Sequence, residues 1–393
     1  MGNEHSHQRG HSDQSSHGHS QSHRHKGRGS ASSVSPEVKR IFDNLTGGEG
    51  ALELSAFEEK LGELAKPLFE YLADGDESKT SLTLEQFSQH AQSLIGSSTD
   101  VFVKIFQPSS ELLRLCFDSA KLEQPKEGDA FIKSLLEDMA KLNDTYESTV
   151  SWKHENCPGL CTSIQEKVYA SFYNREHKTV EFKSDILTPS QMYLLHGMLP
   201  RTVYFPKNKE DAAEAGIFPW VCLYSSHNEG ISINRFETRT FDYNGATVVV
   251  FRKSDGSVSA VCNDQAWKNS TRKFGGNNSV LVHFLPNFSR VDGAEMIYCN
   301  YKLRSSPFGI TFGRFFSIND DMSNVHDLEV WGCADESVLN EQKTQKARHK
   351  RAAEQRGKVP LPGNWDENPD KSIMEMAGFQ FSNERKPQGP EEK

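Results

Sequence analysis

The sequence has no run of about 18 apolar residues that could cross a bilayer, and its mean hydropathy is −0.65. Its first thirty residues contain almost no apolar stretch, so no secretory leader is expected. Cysteine is scarce: the seven at positions 116, 157, 161, 222, 262, 299 and 333 are odd in number and scattered. That spacing excludes a disulfide framework and suits a reducing compartment. An excess of positive charge is missing too, since the formal net charge is −9. Neutralising phosphates requires clustered Lys and Arg, so no nucleic-acid partner is expected. No Gly-x-x-x-x-Gly-Lys-Ser/Thr loop, no His-Glu-x-x-His and no Gly-x-Ser-x-Gly occurs. Phosphate-loop, zinc-protease and serine-hydrolase chemistry therefore lack their sequence signatures, and neither an enzyme nor a cofactor is expected.

What is present begins with MGNEHS, which places Gly2 and Ser6 in an N-myristoylation pattern. One acyl chain holds a membrane only marginally, and Arg9, Arg24, Lys26 and Arg28 supply a mild second, electrostatic signal. Seven histidines between His5 and His25 lie in the same polar tract. Dense imidazoles are able to take transition metals, but no apolar residue supports a folded site, so residues 1–33 are expected to be a disordered tether.

Helix periodicity fills residues 34–185. Ser35-Pro36 is a helix start, and Val38, Ile41, Phe42 and Leu45 share one face behind it. Within this all-α region DGDESKTSLTLEQF comes close to a calcium-binding EF-hand loop. Asp74, Asp76, Ser78 and Glu85 fall on ligand positions, but Lys79 stands where the loop needs glycine and Ser81 where it needs an apolar residue. An earlier segment, DNLTGGEGALELSAF, has the same shape, with Ala56 in the ligand position. The two are expected to be an EF-hand-like pair kept for packing. Cys157 and Cys161 are separated by three residues, which is not redox Cys-x-x-Cys spacing, and with His154 and His177 they make an incomplete zinc set. They are expected to be unpaired thiols near a surface loop. His196, His227, His283 and His326 have no spacing that links them to a nucleophile, and His283 is expected to be a core or edge histidine.

From Trp220 the period turns alternating. Short strands are expected at 221–225, 247–252, 257–261, 280–285, 296–299, 310–312, 315–318 and 328–331, punctuated by turns such as Ser254-Asp255-Gly256. Eight such strands predict an antiparallel two-sheet sandwich. A helix over 187–200 with Thr188 as cap and Pro189 in its first turn is expected to dock on it.

Trp220, Leu223, Tyr224, Ser225, Ser226, Gly230 and Ser232, the stretch NGATVVVFRKSDGSVSAVCNDQAW, the stretch FGGNNSVLVHFLP with Phe284, and the closing Leu328-Glu329-Val330-Trp331 together resemble the TLDc domain family. The chain departs from that pattern in a short loop at 321–327 and in Val258-Ser259-Ala260-Val261, where the family has glycine beside phenylalanine. The fold class expected is therefore α+β. An N-terminal all-α EF-hand-like domain (34–185) is followed by a TLDc two-sheet sandwich (186–335) with flanking helices, then by a tail (336–393). That tail carries Lys343, Lys346, Arg348, Lys350 and Arg351 on a basic helix, then a short helix with Ile373, Met374, Met376 and Ala377 before Gly378.

This layout resembles the mTOR-associated lysosomal (eak-type) branch of the family. The resemblance implies a noncatalytic adaptor on the cytosolic face of lysosomal membranes, partly cytosolic. Its implied partners are the vacuolar proton-pumping ATPase, mTOR signalling components and the membrane surface, with the Ile373–Gly378 helix as the partner-binding element. A calcium-responsive switch and a thiol-based oxidative-stress protein are the alternatives.

Overall fold

The computed structural model describes residues 34–141, 143–205, 218–304, 306–334, 336–357 and 369–378. Gly2 and the His-rich tract lie outside these residues. The described chain opens with α1 (Pro36–Thr46), where Pro36 supplies a preset φ and no orphan donor, and Gly47 ends the helix in the left-handed region. Next come β1 (Leu52–Glu53), α2 (Leu54–Leu61), α3 (Ala65–Leu72), β2 (Ser81–Leu82) and α4 (Leu84–Leu94). This is two helix–loop–helix units whose loops pair antiparallel, Leu52 opposite Leu82. Both leucines are fully buried, and Thr83 and Gln86 form a capping box that starts α4.

The helical layer continues with α5 (Asp100–Ile105), α6 (Ser109–Ser119), α7 (Ala130–Met139), α8 (Tyr146–Asn156) and α9 (Thr162–Phe172). After an extended linker come α10 (Pro189–Met198), capped by Thr188 as its sequence predicts, and the single turn α11 (Arg201–Tyr204). The strands are β3 (Val221–Ser225), β4 (Thr247–Lys253), β5 (Val258–Asn263), β6 (Val280–Leu285), β7 (Ser289–Asp292), β8 (Ile297–Asn300), β9 (Gly309–Phe312), β10 (Phe316–Ile318) and β11 (Val325–Gly332). A six-stranded sheet of order β3-β11-β4-β5-β6-β7 faces a three-stranded sheet of order β10-β9-β8. Pairing is antiparallel throughout.

The large sheet is buried on both faces, which explains the unbroken apolar run of β4. Val249, Phe251, Val261, Leu281 and Leu328 pack toward the small sheet with Ile310, Phe312, Phe316 and Ile318. Val248, Val250, Ala260, Val282 and Phe284 belong instead to the apolar cluster that runs on through the helices. Phe131 of α7 meets Phe284 at 5.5 Å and Phe288 at 6.3 Å, and the Phe288 amide donates to Ser134 Oγ at 2.7 Å. The helical region is thus the third layer, sharing one apolar core with the sheet. Strand β7 escaped the sequence reading because it is a polar edge strand without apolar alternation.

Candidate functional site

The residues that carry the sequence signature spend their polar groups on the fold. Tyr224 hydroxyl donates to Gly230 O and accepts from Ser232 N, closing the loop after β3. Ser225 Oγ donates to Asp185 at 2.7 Å, and Ser226 Oγ accepts the Leu328 amide at 2.9 Å. Trp220 Nε1 reaches Tyr204 O at 2.9 Å, and Trp267 Nε1 reaches Thr247 Oγ1 at 2.8 Å. Buried Glu329 accepts from Ser184 Oγ at 2.5 Å and from the Asp185 amide at 3.1 Å, and desolvation pushes its carboxyl above the ordinary range.

Asp264, which sequence reasoning missed, organises the Gly-Gly loop. Its oxygens accept from Gly276 N at 2.6 Å, Asn278 N at 3.1 Å and Ser279 Oγ at 3.1 Å. A Cβ on Gly276 would stand 2.4 Å from Asp264 Oδ2, so only glycine lets the loop close on this carboxylate.

The thiols are buried rather than near a surface loop, which corrects the expectation for Cys157 and Cys161. Both sit at zero exposure beneath α10, and burial first, then the neighbouring Cys161, drives the Cys157 pKa up. Cys222 reaches the surface, yet desolvation and then Glu329 push its thiol up to about 11. The companion histidines face elsewhere: His154 Nε2 pairs with Asp100 at 3.0 Å, and His177 Nε2 lies 2.7 Å from Ser119 O. Among the described residues no group of three His, Cys, Asp or Glu side chains is placed to hold a metal ion. His283 Nδ1 contacts Ser259 Oγ at 2.7 Å across two strands, and His326 pairs with Asp327.

The loop after α3 already contains a cation. Lys79 Nζ donates to Ala73 O at 3.4 Å and lies 3.8 Å from Asp76 Oδ2, while Asp76 Oδ1 accepts from Ser78 N and Oγ. The residue in the glycine position thus sends its ammonium toward the oxygens a calcium ion would need.

Three further features are open. A cleft of about 620 Å³ lies where α8, α9 and the linker meet α10, α11 and β7. Its floor is a crossing of two glycines, with Gly159 N donating to Gly197 O at 2.9 Å. Beyond the sandwich, the basic helix Glu336–Gly357 is pinned at its start by Gln342, 3% exposed, whose Nε2 donates to Arg239 O and Phe241 O at 3.0 and 3.2 Å. Lys343, Arg348, Lys350 and Arg351 are exposed, and Lys346 is half-buried with its pKa lowered by desolvation. The C-terminal helix Pro369–Met376 leaves Ile373 63%, Met374 45% and Met376 87% exposed, with Ala377 exposed beside them.

Residues 180–327 match the sequence profile of the TLDc domain, a family often linked to oxidative-stress resistance. No curated protein sequence matches the chain.

Proposed function

We propose that this TLDc-containing chain is a noncatalytic, membrane-tethered adaptor. It regulates the vacuolar proton-pumping ATPase on the cytosolic face of lysosomes and takes part in mTOR and stress signalling there. The observation that carries this reading is the C-terminal helix. Ile373 and Met376 are one turn apart, Met374 flanks them, and all three expose large apolar side chains on a short element outside the sandwich. Such a stripe suits helix-in-groove docking, in which a few apolar anchors supply the affinity.

The remaining parts fit an adaptor. Acylation at Gly2 would provide one membrane signal, and the exposed cations of the basic helix provide an electrostatic surface for anionic lipid or acidic protein. The two helix–loop–helix units, whose loops pair through Leu52 and Leu82, support an EF-hand-like reading. We read them as EF-hand-like and structural, because Lys79 already supplies a positive charge to the second loop. That same lysine weighs against a calcium-responsive switch. Thiol-based protection is disfavoured by the complete burial of Cys157 and Cys161 and by the raised pKa that burial gives Cys157.

Affinity purification from a detergent-solubilised lysosomal fraction tests the reading, comparing the full chain, a chain ending at Gly357, and the double variant Ile373→Asp/Met376→Asp. Recovery of pump subunits with the full chain, reduced in both altered forms, is the expected outcome. Subunits absent from every sample would overturn it.

A further inference from the structure

The cleft between the helical layer and the α10–α11 segment carries two opposite charges that no described residue pairs. Glu166 on α9 and Arg201 at the start of α11 both line it and are both exposed to it. Each lies within reach of the other's charge but they form no ion pair, and among the described residues the Arg201 guanidinium rests on the face of Phe205, 6.0 Å from the ring centre. The other charges on the wall are engaged. Arg290 donates to Glu155 O at 3.0 Å and lies 3.5 Å from Asp292, His154 is held by Asp100, and the Glu155 carboxylate accepts from Ser151.

Beside these two charges the wall is aromatic. Phe182 and Phe205 approach the His196 ring at 5.5 and 4.2 Å. Burial pushes the His196 pKa down to about 3, so that ring is neutral at physiological pH and the aromatic end carries no charge. The volume of about 620 Å³ lies within the range of small-molecule sites.

A simple anion in this space would satisfy Arg201 and confront Glu166, and a simple amine would do the reverse. Only a ligand that carries both charges neutralises both walls. We propose that the cleft binds a free amino acid with an apolar side chain. The ammonium group meets Glu166, the carboxylate meets Arg201, and the side chain lies against Phe182, Phe205 and His196. This proposal is independent of the pump-adaptor reading, since it rests on a different part of the molecule.

Isothermal titration of the full chain with L-phenylalanine and L-leucine tests it, with 2-phenylethylamine and 3-phenylpropionate as single-charge probes. Saturable binding of at least one amino acid is expected, with each single-charge probe weaker by about tenfold or more, the worth of one charge-assisted contact. Glu166→Gln and Arg201→Gln should each weaken amino-acid binding by about the same factor. Both positions are exposed, so unchanged urea midpoints establish that the variants fold. The proposal is overturned by the absence of saturable heat for either amino acid at roughly 10 mM, a weaker affinity than a designed small-molecule site shows. It is equally overturned by a single-charge probe binding as tightly as the amino acid, or by binding that neither variant alters.

Discussion

Replacing Gly197 with alanine sets helix propensity against a backbone crossing. Gly197 lies in the last turn of α10, where alanine is favoured over glycine by about 1 kcal/mol. Against this, a Cβ at Gly197 would stand 2.8 Å from Cys157 Sγ and 3.2 Å from the Gly159 carbonyl carbon. A Cβ at Gly159 would in turn meet Gly197 Cα at 2.9 Å. Overpacking of this kind costs roughly 1–3 kcal/mol, and losing the Gly159 N to Gly197 O hydrogen bond adds about 1 kcal/mol. The balance for Gly197→Ala is a destabilisation of about 1–3 kcal/mol. Gly159 lies in a turn rather than a helix, so Gly159→Ala lacks the propensity offset and should cost about 2–4 kcal/mol. Urea unfolding, read as the midpoint multiplied by the slope, measures both. Adding Cys157→Ala to Gly197→Ala should recover part of the loss, because the sulfur is the nearest atom. A raised midpoint for Gly197→Ala would refute the crossing as the constraint and leave propensity as the governing term.

Other outcomes follow from the buried polar groups. Glu329 has a folded-state pKa raised by desolvation, so the folded state holds its proton more tightly and stability falls as pH rises from about 4.5 through the raised value. Glu329→Gln should flatten that fall, and urea midpoints followed upward from about pH 4.5 would show the slope unchanged if the reasoning is wrong. Asp264→Ala should cost about 2–4 kcal/mol, because the amides of Gly276 and Asn278 lose their acceptor, and a loss under about 0.5 kcal/mol in urea unfolding would contradict this. Calcium at about 1 mM, enough to fill a sensor-class loop, should leave the melting temperature unchanged because Lys79 supplies the charge, and a saturable rise would overturn that account.

Where one physical signal dominated, the sequence was explicit. The Ser35-Pro36 start, the Thr188 cap with Pro189, and the strands at 221–225 and 280–285 occur where spacing and capping chemistry place them. What the pattern could not reveal was the third layer. Because β4 and β5 are apolar on both faces, their sequence says only that each strand is covered twice. It does not say that one cover is a second sheet and the other is α7 with its neighbours. The surface-thiol expectation failed for the same reason: Cys157-Pro-Gly-Leu-Cys161 reads as a polar turn until α10 is laid across it through the Gly159–Gly197 contact.

The candidate sites divide along similar lines. An apolar stripe on a polar tail is a local property, so Ile373, Met374 and Met376 were visible as an exposed face from spacing alone. Gln342 was not, because a glutamine in a charged helix gives no sign that it will be buried against Arg239 O and Phe241 O. The cleft was hidden more completely. Glu166 and Arg201 are 35 residues apart on helices with no shared motif. What defines their site is that no other described residue pairs with either charge, and that is a property of the assembled layers. A carboxylate and a guanidinium that share one cleft without pairing, to each other or to any other described residue, are an arrangement that packing alone would tend to remove. Its persistence beside a neutral aromatic wall is the physical reason to look for a ligand there before looking among the signature residues, whose hydrogen bonds the fold already uses.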